Sequence, residues 1–317
     1  TAITTGDDNT SVGYKAGYAL TTGTNNVLIG GNAGDAITTG TDNVALGRAS
    51  LTSDTLGQSS VAIGHQALFS QNFTSATHAY NVAVGKNAGL ALSTGVYNTL
   101  IGGLAGDAIT TGSNNASLGH LSLSANTTGG SNVALGAYAL YSNTTASDNT
   151  AVGKNALFVN TTGADNVAVG TSSLDANTTG ASNTGIGRSA LGANTTGASN
   201  TAVGHNALDA NTEGLYNSAL GGHALGGNTT GDNNISVGFN SSKNNTTGSD
   251  NVALGYVALS TNTTGSQNVA IGREALEKNT TASNNTAVGY QALEENTTGA
   301  DNVSVGNNSL DANTTSS

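Results

Sequence analysis

The sequence predicts an all-β chain wound as a parallel β-solenoid, and three observations carry that expectation. The first is a repeat held in strict register: a pentapeptide Asn-x-x-aliphatic-Gly opens at Asn9 and returns in 18 copies at a spacing of 17, with one spacing of 21 between Ser60 and Asn81. Register this strict gives every copy an equivalent place in space. The second is the lack of a 3.6-residue apolar stripe in a chain with 45 Gly, a content that would unravel helices. The third is the absence of proline, each of which would delete a ladder hydrogen bond.

Each place of the repeat has a physical job, read here on the coil 285–301. The first place is Asn in seventeen copies: Asn9, Asn26, Asn43, Asn81, Asn98, Asn115, Asn132, Asn149, Asn166, Asn183, Asn200, Asn217, Asn234, Asn251, Asn268, Asn285 and Asn302, with Ser60 as the variant. Identical amides stacked one coil apart can donate and accept along the solenoid axis, so this column is expected to form a structural amide ladder. The fourth place is Val, Ile or Leu in all 18 copies and the second is Val, Thr, Ile, Ser or Ala. Two places apart, they share one side of a short strand, and the expectation is that the aliphatic columns face inward. Gly at the fifth place and usually at the fifteenth supplies tight corners. The eighth place is Ala or Ser in every copy and the ninth is Leu in 13. The small eighth and third columns are expected to form flat faces suited to packing between chains.

Two coil types alternate with position along the chain. Coils opening at Asn9, Asn26, Asn81 and Asn98 carry Gly at the ninth place and Leu or Ile at the twelfth (Leu20, Ile37, Leu92, Ile109). From Asn126 onward the twelfth place is always Asn, and Asn-Thr-Thr occurs 11 times. One corner is therefore expected to be apolar in early coils and amide-lined in later ones.

Composition narrows function. With no Cys, disulfides, thiolate metal sites and cysteine nucleophiles are excluded. Eight Lys plus Arg in a chain of net charge −11 leave no basic patch for nucleic acid. No apolar run is long enough to insert in a membrane as a helix. A start at Thr1 marks a processed product or a piece of something longer.

The segments NVALG from Asn43, SVAIG from Ser60 and NVAIG from Asn268 resemble the head repeats of YadA-like trimeric autotransporter adhesins, and related arrays occur in phage tail-fibre proteins. The resemblance covers nearly the whole chain. It implies a left-handed parallel β-roll, three chains side by side as a homotrimer, and a role in surface adhesion. The family's usual repeat is shorter than the present one, which makes the Asn-Thr-Thr corner a distinct feature. The chain carries no coiled-coil stalk, anchor barrel or fibre-tip chaperone domain, so trimerisation and secretion follow from the resemblance alone.

Material for catalysis is scarce. His65, His120 and His205 share the sixth place with Lys, Arg and Tyr, a column expected to face solvent, and no Ser, His and Asp recur at a spacing that suggests a triad. Acidic turns such as Asp7-Asp8, Asp165 and Asp301 could collect Ca²⁺, but they read as Asx-turn caps, and no metal or cofactor is expected. Paired threonines raise an ice-binding possibility, limited because consecutive residues put only one Thr per coil outward. The most distinctive segment is a four-residue expansion within 69–80. It brings Phe69, Phe73, His78 and Tyr80 to a break in register, and these four are the candidate ligand contacts.

The expectation is a single continuous array over 1–317 serving as a non-enzymatic extracellular fibre or adhesin segment, on a cell surface or virion, that spaces or presents a binding surface. Its partners would be further copies of itself, as a homotrimer or an end-to-end filament, and a host or matrix glycan or protein. A phage tail-fibre shaft, a single-chain matrix filament and an ice-binding protein are the alternatives.

Overall fold

The computed structural model describes residues 5–317, which contain β-strands, turns and no helix. No helix among them is long and apolar enough to cross a membrane. The chain divides into two compact units, Thr1–Thr162 and Gly163–Ser317, and each is a parallel β-solenoid. In the first, nine three-residue strands run from Thr10–Val12 to Thr150–Val152, each paired in parallel with the strand one repeat away. In the second, nine strands run from Val167–Val169 to Val303–Val305 under the same rule. The wider spacing before Asn81 leaves this ladder in step, since Val61 pairs with Val82. The extra residues leave the main sheet and build a second one, in which Gly57–Gln58 pairs with Thr77–His78.

The sides of the strands are the reverse of the expectation. The third place is buried and the second and fourth face outward, as at Val133, Ala134 and Leu135 or Thr286, Ala287 and Val288. The reason is the Asn at the first place. Asn26 donates from Nδ2 to Asn9 Oδ1 at 3.0 Å and to the Gly40 carbonyl across the coil at 2.9 Å, and Asn9 Oδ1 also accepts the Asn26 backbone N–H at 3.0 Å. The same three bonds recur at Asn234 with Asn217 and Gly248. An amide that reaches across the coil must point inward, and alternation along a strand then sends the third place inward and the second and fourth outward. The small residues therefore line the interior instead of forming flat outer faces.

The core is consequently thin: Ala at the third and eighth places, Leu at the ninth, and the two polar columns. The twelfth place is buried in both coil types, as Leu20, Ile37, Leu92 and Ile109 or as Asn from Asn126 to Asn296. The exchange is a swap of volume. A Cβ on Gly34 would come within 2.9 Å of Ile37 Cδ1 and 2.7 Å of Leu28 Cδ2, so the ninth place empties where the third and twelfth fill. In the coils opening at Asn115 and Asn234, Ser takes both the third and the eighth place and the buried hydroxyls pair: Ser117 Oγ lies 2.6 Å from Ser122 Oγ, and Ser236 Oγ pairs with Ser241 Oγ in the same way.

The corners are made by left-handed residues. The fifth-place Gly is obligatory: Gly289 has φ 141°, and a Cβ there would stand 2.3 Å from the Gly306 carbonyl oxygen. The seventh, ninth and seventeenth places also take positive φ, the ninth usually as Leu, at 52° in Leu208 and 54° in Leu293. Such a residue costs about 1–2 kcal/mol. What offsets it is a coil-to-coil bond: Leu208 N–H donates to Ala224 O and Leu293 N–H to Ser309 O, both at 3.0 Å, while the side chain stays in the core.

Candidate functional site

The expansion rests on a buried polar network. Asp54 occupies the twelfth place of its coil and Gln71 that of the next, and both are buried. Gln71 Nε2 donates to Asp54 Oδ2 at 2.7 Å and to Ser60 Oγ at 2.9 Å, and Gln71 Oε1 accepts from Asn81 Nδ2 at 2.9 Å. Asp54 Oδ1 accepts from the Gly57 N–H at 2.9 Å and the Phe73 N–H at 3.4 Å. Burial pushes the Asp54 carboxyl above the usual aspartate range, against the opposing hydrogen bonds from Gln71, Gly57, Phe73 and Leu56.

Of the four candidate contacts, two reach the surface. Phe73 is 5% exposed and belongs to the core under the expansion, and Phe69 is half-buried. His78 and Tyr80 are exposed and stack, with centroids 5.7 Å apart and planes at 20°. Tyr80 stacks in turn on Tyr97 of the next coil at 5.9 Å and 12°. Tyr97 is a member the sequence reading missed, although Tyr as the last residue of two successive coils is a visible signal. Because the rings cover one another's faces, the stack offers mainly edges and hydroxyl tips. His78 Nδ1 lies 3.0 Å from Ser59 Oγ; among the described residues no carboxylate is hydrogen-bonded to this histidine.

Side chains at the sixth place, with neighbours at the seventh and tenth, also form clusters along each solenoid. In the first unit Arg48 Nη2 lies 2.8 Å from His65 Nε2, and His120, Tyr138, Tyr141 and Phe158 form an edge-and-face cluster. In the second, His205, His223, Phe239, Tyr256, Arg273 and Tyr290 follow one another, with the Arg273 guanidinium 5.6 Å from the Tyr256 centroid and 5.8 Å from that of Tyr290. From Phe239 to Tyr290, and between Tyr141 and Phe158, one coil spacing brings each ring or cation onto the next.

Asp165 and Asp301 sit singly at exposed seventeenth-place turns, with φ 59° and 58°. The described residues do contain one convergence of three carboxylates that sequence reasoning did not single out, Glu274, Glu277 and Glu294. Arg273 and Gln291 already pair with Glu274, at 2.8 and 3.0 Å. Burial raises the Glu277 carboxyl above its ordinary value, with further contributions from Glu274 and Glu294. The threonine pairs divide their roles: the first donates its hydroxyl to the next coil, as Thr229 Oγ1 does to Thr246 O at 3.0 Å, and the second faces out.

The outer sheet face is exposed in each unit. Its second and fourth places contain no charged residue in any coil. Leu118 and Leu220 are each 51% exposed, and Leu46, Leu135, Ile186, Ile235, Val237 and Ile271 are exposed beside them in their units. No family model and no curated protein matches this chain.

Proposed function

We propose that the chain is a non-enzymatic extracellular structural segment, a fibre or adhesin solenoid that spaces or presents a binding surface, and that copies of it associate along the outward Val, Ile and Leu files. The observation that supports this reading is the outer sheet face. A parallel sheet with exposed aliphatic files and no charge exceeds the scattered apolar exposure normal for a monomer and marks an interaction surface. It also lacks the charges that natural sheets use to keep such surfaces apart. Burying a fully exposed Val, Leu or Ile contributes about 1.5–3 kcal/mol and these half-exposed ones about half of that, so contact along many coils is what offsets the cost of association.

The occupant proposed is another copy of the chain, in the homotrimer that the repeat resemblance implies. The hydroxyl, amide and aromatic faces would then remain for presentation to a glycan or protein. Sedimentation of the purified chain tests this: a discrete trimer that dissociates in Leu118→Lys and Leu220→Lys variants is expected. A monomer at all concentrations overturns the self-association, and open-ended filaments would replace the trimer with a matrix polymer.

A further inference from the structure

The sixth-place file is interrupted by glycine at three coils, Gly31, Gly103 and Gly222. Where the file is continuous, neighbouring planar groups stack, as Phe239 does on Tyr256 at 6.0 Å and 16°. Two of the gaps are closed by their neighbours. At Gly222 the Phe239 ring carbons lie 3.4 and 3.6 Å from where a Cβ would stand, and His223 bridges His205 and Phe239 at 5.2 and 6.2 Å. At Gly103 the His120 ring lies at 3.8 Å. At Gly31 nothing lies within 4 Å, and a depression of about 240 Å³ opens there, lined by Tyr14, Gly31, Asn32, Arg48 and Ala49.

The walls of this gap are suited to a planar guest. Tyr14, 74% exposed, stands one coil before Gly31, and the Arg48 guanidinium one coil after. Two coil spacings separate them by about 9.6 Å, which is two stacking distances. A single ring placed at Gly31 therefore meets Tyr14 on one face and Arg48 on the other, the arrangement Arg273 completes between Tyr256 and Tyr290. The local charge is positive. Lys15 Nζ lies 5.6 Å from the Tyr14 centroid, Arg48 Nη2 lies 2.8 Å from His65 Nε2, and no carboxylate lines the depression.

We infer that the Gly31 gap is a binding slot for a planar aromatic carboxylate, its ring taking the missing rung between Tyr14 and Arg48 and its charge balanced by Arg48 and Lys15. The slot is distinct from the outer sheet face and does not depend on self-association.

Calorimetric titration of the whole chain with 2-naphthoate tests this. Gly31 has an ordinary backbone φ and open space beside it, so Gly31→Phe fills the rung while the fold is retained, which circular dichroism verifies. Gly31→Phe is expected to weaken naphthoate binding by about tenfold or more, Arg48→Gln by about fivefold, and replacing the acid by uncharged 2-naphthol by a similar factor. Equal binding to wild type and Gly31→Phe would overturn the proposal, as would no binding up to about 10 mM ligand. Equal affinity for naphthol and naphthoate would remove the carboxylate from it.

Discussion

Gln71 Oε1 accepts from Asn81 Nδ2 at 2.9 Å while Gln71 Nε2 holds Ser60 Oγ at 2.9 Å, so a side chain from the twelfth place bridges the one break in the first-place amide ladder. Ser60 is too short to reach Asn81, and the glutamine of its own coil spans the difference. Replacing Gln71 by Leu would strand the Asn81 amide on one side and remove a donor from buried Asp54. Urea denaturation should show the first unit destabilised by about 3 kcal/mol; a loss under about 0.5 kcal/mol would mean the bridge contributes nothing.

Asp54 makes the stability of the same region depend on pH. Its folded-state pKa is raised above 3.8, chiefly by burial. The folded chain therefore holds this proton more tightly than the unfolded chain. The associated stabilisation is complete below the unfolded value and is lost as pH rises through the folded one. Stability of Asp54→Asn minus that of wild type, from urea titrations between about pH 3 and 7, should rise with pH across that window. A flat or falling difference would contradict the assignment.

The swap between the ninth and twelfth places predicts non-additive mutations. Asn211 donates to Asn194 Oδ1 at 2.8 Å and accepts from Asn228 at 2.9 Å, so Asn211→Leu removes ladder bonds and crowds Leu208. It should cost about 3 kcal/mol. Adding Leu208→Gly recreates the early coil type and relieves the crowding, so the double variant should be more stable than the sum of the two singles by about 1 kcal/mol or more. Strict additivity would show that the two places do not share volume.

Val257 sits at a seventh-place corner with φ 50°, a conformation a β-branched residue adopts only under strain. Asn occupies the same place at Asn32 and Asn155, with φ 58° and 59° and no side-chain oxygen buried without a partner. Val257→Asn is therefore expected to raise stability by about 1 kcal/mol, read as a higher urea midpoint at unchanged slope. A lower midpoint would locate a packing role for the valine that outweighs its backbone cost.

Much of this was legible beforehand. A repeat of 17 residues with Gly at every fifth place admits little except stacked coils, and the change at the twelfth place from Leu and Ile to Asn marked a corner that is buried in both forms. The serines at the third and eighth places could be seen in the sequence, but they coincide in some coils only, and their meaning needed the 2.6 Å contact between Ser117 and Ser122. The candidate contacts divided because adjacency in sequence carries no information about depth: Phe73 closes the core while Tyr80, seven residues on, stacks on a coil the expansion does not contain.

Period and parallel pairing are local consequences of composition and register, and the sequence alone determined them. Which side of each strand faces inward is a property of the closed coil. Hydrophobicity points Val288 inward, yet Asn285 must reach the Gly299 carbonyl at 2.8 Å across the coil. One strand cannot turn both its first and its fourth residue to the same side. The buried amide prevails because an unsatisfied polar group inside costs more than a half-exposed valine outside. Only the closed structure shows that choice, and with it the outward aliphatic face of the sheet.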